Sequence, residues 1–174
     1  MTRIAIFAVT IAVVIGALLA VGCGTHAQST CAGLGSGKDG PTREQYMPCA
    51  AEMMALLDRL ATQAEAAASG DRQAESETAQ IALDLERLMT QAGGGQKMTI
   101  LQWRNDRLRI LNYRMFNAYG QYSTIPYVLN LAHKTPSSSK DRTFAAGIHG
   151  QLAANLSEGK RSYEDARQLY QQLQ

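Results

Sequence analysis

No stretch of this chain alternates apolar and polar residues as strongly as others repeat them at helical spacing, so a sheet-based fold has no support. No Cys-x-x-Cys pair occurs among its three cysteines. Redox dithiols, zinc ribbons and c-type haem attachment are thereby excluded. His26, His133 and His149 are scattered, and none lies in an HExxH or ExxH pattern. A metal site needs ligands converging from neighbouring elements, so none is indicated and no cofactor is expected. Neither sign of charge is in excess: 17 Lys and Arg stand against 15 Asp and Glu, and Arg3 precedes the domain. Bulk attraction to nucleic acid is therefore not expected. No internal repeat is visible.

Two fragments imitate catalytic motifs and fail on detail. Residues Gly33 to Asp39 read GLGSGKD, close to a phosphate-binding loop. That loop needs glycine where Ala32 stands, Ser or Thr where Asp39 stands, and a strand before it. Ser137 and Lys140 share the SxxK spacing of penicillin-binding enzymes. The further motifs and larger fold of those enzymes are missing, and serines before a helix serve as caps.

What is present begins at the N-terminus. Arg3 is followed by an apolar run from Ile4 to Gly22, broken only by Thr10. This is the layout of an export signal, although a run of about 19 residues is nearly enough to span a bilayer. Three outcomes compete: cleavage before Cys23, cleavage after Ala27 within Thr25-His26-Ala27, or retention as a membrane helix. Each puts the remaining chain outside the cytoplasm, because Arg3 favours the inner side.

Ala20-Val21-Gly22-Cys23 resembles the lipobox of bacterial lipoproteins, with Ala20 in place of the preferred leucine. The resemblance covers only these first residues. It implies a signal peptide over 1–22, a lipid on Cys23 and a domain held at the envelope membrane. It also implies the outer membrane where the host has one, since Gly24 is not Asp. Lipidation would remove one of three cysteines and leave Cys31 and Cys49 as a pair in an oxidising compartment. A bridge between them would close about 18 residues and stabilise by roughly 3 kcal/mol in the chain-entropy description.

Residues 23–41 read as a lipidated cysteine and a flexible Gly-rich linker. Residues 42–174 read as one all-α domain, an antiparallel up-down bundle of about four helices. The first helix covers about 43–69, with Ala50, Met53, Met54, Leu57, Leu60, Ala61, Ala64 and Ala68 inward. Thr42 and Gln45 form a capping box and Gly70 a stop, while Pro48 delays the regular helix until that point. The second covers about 72–92, ending at Gly93-Gly94-Gly95. The third starts after Thr99, capped with Gln102, and breaks at Pro126; a short piece continues to His133. The fourth covers about 140–173, opened by Ser138 and Asp141, with Phe144, Ala145, Ile148, Leu152 and Leu156 among its inward residues. Its Gly147, Gly150 and Gly159 each cost up to about 1 kcal/mol relative to alanine. The first two helices are acidic and the third basic, so packing should let them neutralise each other.

On a helical wheel Arg104 points into the apolar stripe beside Leu108 and Leu111, a buried charge that needs Asp58, Asp84 or Glu86. A second stripe, Trp103, Arg107, Ile110 and Arg114, has the residue types enriched in binding hot spots. The expectation is a non-enzymatic membrane-tethered lipoprotein that binds a protein partner through this stripe. A ligand binder or chaperone with an apolar groove comes next, then a hydrolase.

Overall fold

The structure is a computed structural model and describes residues 29–34, 39–93, 103–134 and 142–174. The signal, Cys23, the Thr99–Gln102 cap and the Ser138–Asp141 cap lie outside the described residues. Those described form an all-α bundle of helices α1 (Arg43–Ala68), α2 (Arg72–Gly93), α3 (Asp106–Ser123), α4 (Ile125–Lys134) and α5 (Arg142–Leu173).

Helix α1 starts at its capping box. The Thr42 hydroxyl accepts from the Gln45 N–H, and Gln45 Oε1 accepts from the Thr42 N–H at 2.9 Å. The expectation that regular helix waits for Pro48 is corrected. The box organises the first turn, and Pro48 costs only the donor owed to the exposed Glu44 carbonyl. Gly70 ends α1 with φ +102°, a left-handed conformation glycine adopts without a Cβ clash. Asp71 Oδ1 then accepts from the N–H groups of Gln73 and Ala74, starting α2 on the return course.

Helix α3 starts later than its apolar periodicity suggested. Asn105 caps it by accepting from the Leu108 N–H at 3.2 Å, so residues 103–105 are not helical. The break at Pro126 occurs as expected. Proline cannot donate to the Tyr122 carbonyl, which takes the Thr124 N–H instead. Helix α4 begins at the next residue, with the Val128 N–H on the Thr124 carbonyl at 3.1 Å.

Helix α1 packs chiefly on α2, and α3 chiefly on α5. Cross-links fix the directions. Arg43 reaches the Leu173 carbonyl while the Tyr163 hydroxyl donates to Asp58, so α1 and α5 are antiparallel. Arg107 reaches Gln172 and Arg114 reaches Asp165, so α3 and α5 are antiparallel too. The core holds Met53, Leu57, Leu60, Leu85, Leu108, Leu111, Met115 and Tyr122. Close approach of α5 depends on Gly159, where a Cβ would lie 2.9 Å from the Tyr122 ring.

Mutual neutralisation of α3 by α1 and α2 does not occur among the described ion pairs. Arg104 pairs with Asp39, Arg109 with Asp106 and Arg114 with Asp165. Carboxylates of the segment before α1, of α3 itself and of α5 satisfy these arginines instead.

Candidate docking surface

The two ends of the bundle are built differently. At the end where α1 begins, residues 29–34 and 39–42 lie against the helix ends. Cys31 and Cys49 form a disulfide, both buried. Thr30 Oγ1 donates to Glu52 Oε1 at 2.7 Å. The Asp39 carbonyl accepts from the Arg104 N–H at 3.0 Å, and its carboxylate pairs with the guanidinium at 2.8 Å. Gly40, with φ +72°, presses on the indole of Trp103; a Cβ there would lie 2.4 Å from the ring. Trp103 meets Tyr46 edge to face at 5.2 Å between centroids. The Tyr46 hydroxyl donates to the buried Asn112 Oδ1. Burial raises the Tyr46 phenol well above its ordinary range. Arg43 donates to the carbonyls of Leu173 and Gln174 at 2.6 and 2.8 Å, closing the α5 terminus against α1.

This arrangement corrects two expectations. Trp103 is only 3% exposed and belongs to the core, so it does not anchor a docking stripe with Arg107, Ile110 and Arg114. Arg104 is not a buried charge; its side chain is 79% exposed. One cause explains both. The wheel assumed a helix from residue 100, and the chain before Asn105 is not helical where it is described. The remainder of the stripe follows the α3–α5 seam. Arg107 donates to Gln172 at 3.1 Å and Arg114 pairs with Asp165 at 3.2 Å, while Ile110 lies between them partly exposed.

At the opposite end α4 and the first half of α5 frame an open cleft of about 610 Å³. Tyr127, Val128 and Leu131 line one wall, and Phe144, Gly147, Ile148 and Gln151 the other. Phe144 was expected inward and is 56% exposed; Tyr127 is 66% exposed. Neither Ile125–Ala132 nor Phe144–Ser157 contains Asp, Glu, Lys or Arg. Below the cleft a polar chain fixes the α3–α4 joint. Gln151 donates to Asn155 at 2.7 Å, and Asn155 donates to the Thr124 hydroxyl at 2.6 Å. Asn155 is buried while Gln151 and Thr124 are exposed, so the chain runs inward from the surface and ties α5 to the joint.

The glycines of α5 divide by use. Gly159 receives the Tyr122 ring, whereas among the described residues a Cβ on Gly147 or Gly150 would meet nothing within 4 Å. Each of these two exposed glycines costs about 1 kcal/mol relative to alanine, with no contact among the described residues to require it. The sequence did carry a signal for this surface. It lay in the long uncharged stretch with paired glycines, which periodicity alone assigns to a core face.

A second, more polar cleft of about 400 Å³ lies between α2 and α4, lined by Arg72, Glu75, Ser76, Pro126, Tyr127 and Asn130. At its margin His133 Nε2 stands 3.4 Å from Glu75, with the imidazole half exposed. Among the described residues no three His, Cys, Asp or Glu side chains converge as metal ligands, and no helix is long and apolar enough to cross a membrane. Comparison with protein families, with characterised proteins and with solved structures finds no match to this chain.

Proposed function

We propose that this protein is a non-enzymatic lipoprotein module of the cell envelope that docks a protein partner in the α4–α5 cleft. The observation that carries this reading is the uncharged, aromatic-edged cleft, open to solvent. Large exposed apolar patches mark interaction sites, and tyrosine is enriched at them. Protein docking is favoured over small-ligand binding because the cleft offers two polar side chains, Tyr127 and Gln151, one on each wall, where ligand sites place several converging polar groups.

The tether supports the same reading. A lipid on Cys23 would leave residues 24–30 between the membrane and Cys31, at most about 25 Å of extended chain. The disulfide fastens that chain to the start of α1. Helix α1 has 26 residues and is about 39 Å long, so the cleft would face away from the anchor.

The test uses the full chain in its native membrane. A photo-activated cross-linker in place of Phe144 or Tyr127 should yield a protein adduct, and one in place of the exposed Arg87 should not. Absence of adducts at both cleft positions would remove the docking reading. Cys23→Ala should leave the chain unprocessed or release it from the membrane. A freely soluble mature chain beginning at Gln28 would remove the tether.

A further inference from the structure

We infer that the polar α2–α4 cleft is a carbohydrate site that takes a β-linked pyranose chain, with Tyr127 as its stacking platform. Tyr127 lines both clefts, but α4 otherwise gives different residues to each, Pro126 and Asn130 here and Val128 and Leu131 there. The inference goes beyond the docking reading and does not depend on it.

Convergence of unpaired polar groups is the first argument. Arg72, Glu75, Ser76 and Ala79 recur at three- and four-residue spacing, so they share one face of α2. On α4, Tyr127 and Asn130 are three residues apart and share the opposing face. Five polar side chains, Arg72, Glu75, Ser76, Tyr127 and Asn130, thus meet around about 400 Å³, as ligand sites require. Among the described residues the side chains of Arg72, Ser76 and Asn130 make no hydrogen bond or ion pair. Glu75 is held by His133 Nε2 at 3.4 Å, which orients its carboxylate and leaves it further acceptor sites.

The chemistry of these groups selects the ligand. Arg72 only donates, the Glu75 carboxylate only accepts, and Ser76 and Asn130 do both. A row of sugar hydroxyls, each both donor and acceptor, satisfies such a mixture. Arg72 and Glu75 have opposite charges, so the cleft favours a neutral ligand over an anion or a cation. The Tyr127 ring is 66% exposed and, with Pro126 and Ala79, supplies a flat apolar surface. The C–H face of a β-linked pyranose is flat as well, and its weakly positive hydrogens suit the negative face of an aromatic ring. The cleft is open, so the outer hydroxyls keep their water and avoid the cost of burying polar groups unpaired.

The experiment titrates chitotetraose and cellotetraose, β-linked pyranose chains with and without acetamido groups, into the purified full-length chain in detergent. Ligand-observed NMR follows binding. A dissociation constant of about 1 mM is expected for at least one of them, the weak end of specific association. Binding of chitotetraose alone would assign an N-acetylated glycan, and equal binding of both a glycan read through its hydroxyls. Tyr127→Ala should weaken binding more than about tenfold, and Tyr127→Phe should hold it within about threefold, because the ring and not its hydroxyl is the platform. Asn130→Ala and Arg72→Ala should each weaken it severalfold. All three positions are exposed, so thermal midpoints should hold. Phe144→Ala, in the neighbouring cleft, should leave binding unchanged. Binding of neither sugar at about tenfold the expected constant would overturn the inference. Binding lost with Phe144→Ala but kept with Asn130→Ala would overturn it too, by moving the sugar to the α4–α5 cleft. Neither result touches the protein adducts that test docking, so the two readings fail separately.

Discussion

The two ends of this bundle treat aromatic residues in opposite ways. Near the start of α1, Trp103 and Tyr46 are covered by a glycine-containing segment, tied down by a disulfide and an Asp39–Arg104 pair. Around α4 and the start of α5, Tyr127 and Phe144 stand open to solvent. Both ends have apolar material at helical spacing. Among the described residues only one has a further piece of chain laid across it. The difference teaches that the covered end is the structural anchor of the fold, while the open end keeps apolar surface that folding alone does not use.

Substitutions should separate the ends by size of effect. Trp103→Ala is expected to be the most damaging, costing about 3–5 kcal/mol by opening a cavity under Gly40 and beside Tyr46. A urea melt should show a large drop in midpoint with an unchanged slope. A change within about 0.5 kcal/mol would mean that Trp103 is a surface residue and that the covered end does not exist as described. Replacing Cys31 and Cys49 together by serine should cost roughly 3 kcal/mol, since the bridge spans a separation of 18 residues. Differential melts of the wild type with and without reductant would measure it, and equal midpoints would count against a structural bridge.

Alkali should weaken the covered end and the middle of the bundle to a smaller degree. Burial holds the phenols of Tyr46, Tyr119 and Tyr122 above their ordinary value. Tyr163 is pushed up to about 12 by burial and by its bond to Asp58. In the unfolded chain these groups ionise near pH 10. Folding therefore favours the protonated phenol. This stability is full below about pH 10 and is lost as pH rises from there towards about 12. Urea midpoints at pH 8 and pH 11 test the sign, and an unchanged midpoint would show that these hydroxyls are hydrated in the fold.

The smallest stability effect belongs to the open end. Phe144→Ala should change stability by no more than about 0.5 kcal/mol, and Gly147→Ala should raise it by up to about 1 kcal/mol. A loss of several kcal/mol from Phe144→Ala would place that ring in the core and erase the contrast between the ends.

Much of this architecture could be read from residue spacing. The repeat of Ala50, Met53, Met54, Leu57 and Leu60 states a helix and its buried face, and all five are buried. Thr42 with Gln45, Gly70 and Pro126 mark boundaries by chemistry that acts within a few residues, and the structure has its breaks there. Cys31 and Cys49 could be paired by counting. The misreadings have two origins. Assigning Trp103 and Arg104 to helix faces required knowing which cap starts α3. Asn105 has local chemistry as good as that of Thr99, and spacing does not rank the two. Phe144 sits where the apolar period puts a core residue, but a period says which face is apolar and not whether a neighbour covers it.

Residue spacing states the helices and most of their inward faces, because each depends on residues close along the chain; the pairing of Cys31 with Cys49 followed from a count only once Cys23 was set aside as the lipobox cysteine. The tertiary structure alone decided which apolar surfaces were covered. Gly40 reaches Trp103 only because the disulfide and the Asp39–Arg104 pair bring that segment across the helix ends. Phe144 stays exposed because α3 ends at Ser123 and α4, only 10 residues long, covers one side of α5. Burial is a property of what arrives from elsewhere in the chain, and no local pattern encodes it.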